Sequence, residues 1–163
     1  MLEQHTGSIP HSKSYPSLLV VGWREWVTMP ELGIERIKAK IDTGARTSSL
    51  HAFDIECLKY RGRDIVRFKV HPLQRQSRSL IVCQADLHDE RIVRSSSGHS
   101  ALRPVVLTRL QVGPCFWDIE LTLTNRDKMG FRMLIGRQAI RKHVLVHPGK
   151  SFILGARKPK QEG

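Results

Sequence analysis

Ala39-Lys40-Ile41-Asp42-Thr43-Gly44-Ala45-Arg46-Thr47-Ser48-Ser49-Leu50 contains two patterns joined end to end. In the first, Ile37, Ala39 and Ile41 interleave with Lys38 and Lys40, giving one apolar face and one cationic face. That period of two predicts a half-buried β-strand. The strand then runs without a break into Asp42-Thr43-Gly44-Ala45 and a Ser/Thr-rich stretch. Gly44 permits a tight backbone excursion that a Cβ would hinder. The hydroxyls of Thr43 and Thr47 are suited to bonding the local backbone and fixing the loop. Asp42 is thereby presented at a strand end on a rigid turn, as a catalytic carboxylate must be. The alternative is an Asx-turn in which Asp42 only caps the loop.

The same alternation recurs along the chain. Val66, Phe68 and Val70 interleave with Arg67 and Lys69, and Ile119, Leu121 and Leu123 with Glu120, Thr122 and Thr124. Val105-Val106-Leu107 and Val144-Leu145-Val146 also suit strands. Turn signals separate them at Arg61-Gly62-Arg63-Asp64, His88-Asp89-Glu90, Val112-Gly113-Pro114 and His147-Pro148-Gly149. One short helix is expected, from Arg137 to about Lys142. Short strands at regular spacing with tight turns predict an all-β fold, closed or sandwiched. The polar residues 1–16 read as a flexible leader, 17–156 as one folded domain and 157–163 as a basic flexible tail.

Composition bounds the function. The 163 residues carry 27 Lys+Arg against 15 Asp+Glu, a formal charge of +12, so an anionic partner is expected without being named. No apolar run approaches the roughly 20 residues that cross a bilayer, and the N-terminus lacks a signal-peptide layout. Cys57, Cys83 and Cys115 form no C-x-x-C pair and read as reduced thiols of a cytoplasmic protein. There is no H-E-x-x-H for zinc and no G-x-x-x-x-G-K-[ST] for ATP phosphates. His51, His99, His143 and His147 are scattered. No metal and no cofactor is therefore expected.

A second segment, Phe131-Arg132-Met133-Leu134-Ile135-Gly136-Arg137-Gln138-Ala139-Ile140, is an apolar strand ending in Gly-Arg before the short helix. Together with Asp-Thr-Gly-Ala it resembles the retropepsin-like aspartic peptidases. Further matches extend the resemblance over about Leu18 to Phe152. They are the run to His51-Ala52, Ser97-Gly98, Arg103-Pro104-Val105-Val106, Leu121-Thr122-Leu123-Thr124-Asn125-Arg126 and Met133 to Arg137. They are similar to a bacterial family known as RimK-associated, RimB-like or ATP-dependent zinc proteases. The zinc and the ATP of that last name have no counterpart in these residues.

The resemblance implies a closed retropepsin-type β-barrel in which the Ile-Gly-Arg segment packs beneath the Asp-Thr-Gly loop. The interval of roughly ninety residues between the two segments implies inserted strands or a longer flap region. It also implies catalysis by Asp42, Thr43 and Gly44. Since aspartic catalysis needs two carboxylates and the chain supplies one Asp-Thr-Gly, it implies a homodimer with Asp42 of each chain at the two-fold axis. Lys40, Arg46, His51 and Arg137 flank the motif as candidates for substrate contact. For Arg46 and Arg137 a structural role, as donors to loop carboxylates or carbonyls, is the equal alternative. Ser95 to Ser100 reads as a lid over the substrate or as an ordinary polar connection.

RimK-type enzymes add glutamate residues to a small-subunit ribosomal protein. The expected substrate is accordingly a peptide or protein, either the acidic tail of a polyglutamylated ribosomal protein, which would suit the positive charge, or the ligase system itself. The competing reading is a non-catalytic basic β-barrel that binds RNA, the ribosome or a protein partner. Against nucleic acid stands an aromatic content of only 6%. A pseudo-protease that keeps the fold for partner binding is the third reading.

Overall fold

The computed structural model describes residues 17–73, 79–95, 97–125 and 130–154. The leader 1–16, the tail 157–163, Ser96 and Arg126 lie outside the described residues. Among the described residues twelve strands run in the order β1 (Leu19–Gly22), β2 (Arg24–Met29), β3 (Ile34–Asp42), β4 (Ser48–His51), β5 (Phe53–Tyr60), β6 (Arg63–Val70), β7 (Ile81–Asp86), β8 (Asp89–Arg94), β9 (Ser100–Val112), β10 (Cys115–Thr124), β11 (Met133–Gly136) and β12 (Val144–His147). Among the described residues one α-helix, α1 (Arg137–Ile140), follows β11 directly, and a 3-10 turn (Pro30–Leu32) joins β2 to β3. The expected helix to Lys142 continues only as a turn beyond Ile140.

Alternation decides which face each strand buries. In β3, Ile37, Ala39 and Ile41 are buried while Lys40 is exposed and Lys38 half-buried. In β2, Glu25, Val27 and Met29 point inward and Arg24, Trp26 and Thr28 outward. Strands β10, β4, β11, β3, β2 and β9 hydrogen-bond in that order, and β9 pairs again with β10, closing a six-stranded barrel. Closure leaves none of the six with a bare edge along its whole length. Strand β8 pairs with β9 outside the ring. A three-stranded sheet β5-β6-β7 and a parallel pair β1-β12 complete the fold. The all-β barrel of retropepsin type is the observed architecture, and β5 to β8 lie within the long interval between the two motif segments.

The core joins Val27, Met29, Ile37, Ala39 and Ile41 to Leu50, Phe68, Leu110, Leu121, Leu123, Met133 and Ile135. Burial of a large aliphatic side chain contributes about 1.5–3 kcal/mol. Glu25 brings a carboxyl group onto the inner face, at 1% exposure. Its Oε1 accepts the amides of Gly22 and Ile153, each at 2.8 Å. The buried carboxylate thus ties the β1-β2 corner to the segment after β12.

Candidate active site

Strand β3 delivers Asp42, half-buried, to the rim of the barrel. Asp42 Oδ1 accepts the amides of Gly44 at 3.1 Å and Ala45 at 3.2 Å. The Ala45 amide also lies 3.2 Å from the Asp42 carbonyl. Capping therefore occupies one carboxylate oxygen, and Oδ2 has no donor among the described residues. A carboxylate held by one oxygen and open at the other is oriented and still reactive.

The hydroxyls expected to brace the loop do not do so. Among the described residues, neither Thr43 nor Thr47 uses its hydroxyl in a hydrogen bond; Thr43 is exposed and Thr47 half-buried. The bracing comes from the second segment instead. Strand β11 lies between β3 and β4, parallel to the first and antiparallel to the second, with Gly136 in register with Asp42. The Gly136 amide donates to Ser48 Oγ at 3.0 Å, and Thr122 Oγ1 donates to the Ser48 carbonyl at 3.0 Å. The amides of Arg137 and Gln138 donate to the carbonyls of Ala45 at 2.8 Å and Arg46 at 3.1 Å. Arg137 Nη1 reaches the carbonyls of Thr43 at 3.1 Å and Gly44 at 3.0 Å. These contacts give Arg137 a loop-holding part, one of the two roles open to it in the sequence.

Asp42, Thr43, Gly44 and Arg137 come together. Lys40 is exposed, two residues before Asp42 on the same face of β3. Arg46 lies beyond the loop and lines a cavity of about 620 Å³ with Ser48, Arg91, Trp117, Glu120, Gln138 and His143. His51 is separate: it is 6% exposed at the end of β4, where its amide donates to the Arg132 carbonyl at 2.7 Å. In the wall of that cavity, Arg91 Nη1 donates to Glu120 Oε2 at 2.6 Å and Arg91 Nε to Asp89 Oδ2 at 2.8 Å. The hydrogen bond from Arg91 holds the Glu120 carboxyl below its ordinary value, against the opposing effect of burial, with the charges of Arg91 and His88 adding to the lowering.

Sequence reasoning missed Ser48 and Arg24. Ser48 offered one signal, the Ser/Thr run after the loop. Arg24 offered none, because its place beside Lys40 depends on the pairing of β2 with β3.

Residues 20–157 match the family described as RimB-like, retropepsin-like aspartic endopeptidase RimB. The chain belongs to this family. Curated proteins named "Probable alpha-L-glutamate ligase" from Desulfotalea psychrophila and Shewanella pealeana are 46% and 45% identical over 136 residues, 83% of this chain. The RimB-like chain spans only about three-tenths of the length of those relatives, 29% and 30%. It is also similar in structure to protein Lpg0085 of Legionella pneumophila, of unknown function, with a TM-score of 0.71 and 27% identity. That likeness covers 85% of this chain and all of the other. Among the described residues, no group of three or more His, Cys, Asp and Glu is placed to hold a metal ion. Nor, among them, is any helix long and apolar enough to cross a membrane.

Proposed function

We propose that the RimB-like chain is an aspartic peptidase whose site is completed by a second copy, with a glutamate-rich peptide as substrate. The observation that carries this is the state of Asp42. One oxygen is fixed by the loop amides of Gly44 and Ala45, and the loop itself is held by Gly136, Arg137 and Gln138. In the dimer, two such carboxylates share one proton, because like charges a few Å apart resist joint ionisation. The ionised member takes a proton from water as it attacks the scissile carbonyl. The protonated member donates to that carbonyl oxygen.

The parallel pair β1-β12 is suited to the dimer contact. Among the described residues each of its strands pairs only with the other, and the register partners Val20 and Leu145 are 44% and 55% exposed. Two features support the substrate. The charge of +12 attracts a polyanion. The region shared with relatives named as glutamate ligases sits in one polypeptide with the rest of those proteins, whose named product would carry added glutamate.

The RNA-binding reading fares less well on the β2-β3 face, where Trp26 stands. Trp26 already has the Arg36 guanidinium 4.0 Å from its ring centroid and Phe152 stacked at 5.9 Å. Such a ring is not a free platform for a base.

The test compares wild type with Asp42→Asn on a glutamate-tailed peptide, with and without a chelator. Cleavage that resists the chelator and disappears in the variant is expected. Chelator-sensitive cleavage that survives the substitution, or the absence of cleavage by a dimer, sinks the proposal.

A further inference from the structure

Strand β3 places Arg36, Lys38 and Lys40 on the face that carries Asp42, since successive even positions point the same way. Its two neighbours add to that face. Arg24 of β2 is the register partner of Lys40 on one side, and Leu134 of β11 is its partner on the other. Directly opposed residues on one face have their Cβ atoms about 5 Å apart. Lys40 and Asp42, two residues apart on β3, are separated by roughly 7 Å. Arg24, Lys40 and Leu134 are therefore neighbours on the face that carries Asp42.

Arg24 is held in place by contacts that leave its charge uncompensated. Its guanidinium lies 4.6 Å from the Trp23 ring centroid and 5.0 Å from that of Phe152, and its Nε donates to Ser151 Oγ at 3.1 Å. Trp23 in turn meets Phe131 edge-on at 5.8 Å, and Lys38 Nζ lies 5.3 Å from the Phe131 centroid. Among the described residues the ion pairs involve Lys59, Arg63, Lys69, His88, Arg91 and Arg109. None reaches Arg24, Arg36, Lys38 or Lys40. On other strands Lys59, Arg63, Lys69, Arg91 and Arg109 are matched with carboxylates and Arg67 meets Gln84, whereas among the described residues Arg24 and Lys40 have no carboxylate partner. Lys40 is exposed and Arg24 half-buried, so the pair is accessible while the guanidinium is restrained by its aromatic neighbours.

We propose that Arg24 and Lys40 form a carboxylate-reading subsite that selects an acidic side chain next to the scissile bond. This rests on the peptidase reading of Asp42. Arg24 supplies the planar, preorganised donor and Lys40 the mobile one, while Leu134 packs against the methylenes of the glutamate stem. The subsite separates selection from attraction: the net charge draws in any polyanion, whereas these two residues read one position.

The test measures binding apart from cleavage. In an Asp42→Asn background the full-length protein is titrated with hexaglutamate and with hexaglutamine. Arg24→Gln and Lys40→Gln are each expected to weaken hexaglutamate binding by about tenfold and to leave hexaglutamine unchanged. Arg24→Lys is expected to recover part of the loss. Lys59→Gln, which removes the same unit of charge from β5, is expected to change nothing. Equal loss for both peptides, an equal effect of Lys59→Gln, or no hexaglutamate binding overturns the subsite. So does tighter binding of a single-stranded oligoribonucleotide that depends on the same two cations. Cleavage by the protein with Asp42 intact is scored separately, so failure of the peptidase reading shows as selective binding without turnover.

Discussion

Gly136 stands against the backbone of Thr47 so closely that a Cβ on it would lie 2.6 Å from both the carbonyl carbon and the oxygen. No side chain can move aside there, because the obstruction is main chain. Gly136→Ala must therefore separate β11 from the loop that holds Asp42. Destabilisation of about 3 kcal/mol is expected, at the upper end of what overpacking costs. Urea denaturation checks it, and an unchanged midpoint would mean the loop does not need this approach.

Arg137 is exposed yet donates to two carbonyls of the Asp-Thr-Gly loop. Its loss should disturb the position of Asp42 more than the stability of the barrel. If the chain is the peptidase proposed, Arg137→Met is expected to lower kcat by roughly tenfold to a hundredfold, through misplacement of Asp42, with KM little changed. An increase in KM at constant kcat would instead assign Arg137 to substrate contact.

Glu120 supplies the acid limb of stability. Its carboxyl is held below the ordinary value of 4.5, first by the hydrogen bond from Arg91. A group whose pKa is lower in the folded state stabilises above its unfolded pKa, and the benefit disappears as pH falls through the folded value. Thermal melting followed from about pH 5 to pH 2 should show wild type losing stability faster than Glu120→Gln. Partial exposure of the pair to solvent keeps the difference small. Parallel curves for the two proteins would remove Glu120 from this account.

Val20 and Leu145 are opposed on β1 and β12 with both side chains outward. If a second copy covers them, Leu145→Glu buries an unpaired charge at the contact. The variant is expected to sediment as a monomer, to keep the circular dichroism of the wild type, and to lose cleavage. A Leu145→Glu dimer of full activity would place the contact elsewhere.

Much of this was legible in local sequence. The alternation of Ile37, Ala39 and Ile41 with Lys38 and Lys40 identified β3 and its buried face, as the patterns at Val66–Val70 and Ile119–Leu123 identified β6 and β10. The strand-loop character of Asp42-Thr43-Gly44 and the apolar strand ending at Gly136 were likewise readable. The agents that fix the loop were misread. The nearby hydroxyls of Thr43 and Thr47 are suited to the task by sequence, but backbone amides of the loop itself, Ser48 and a segment more than ninety residues onward perform it. The buried Glu25 was missed as well, although its spacing with Val27 and Met29 already set it on the inner face.

By itself, then, the sequence determined that strands run through Ile37–Ile41, Val66–Val70, Ile119–Leu123 and the segment ending at Gly136, which faces of the alternating ones are apolar, and that the chain holds a single Asp-Thr-Gly. Only the tertiary structure decided that Gly136 lies opposite Asp42, that Ser48 receives its amide, and that Arg24 stands beside Lys40. The physical reason lies in the two kinds of constraint. Burial periodicity is set by the pleat of a strand and can be read from neighbours in sequence. Register between strands is set by barrel closure and by the fit of one backbone against another, and no local pattern contains it.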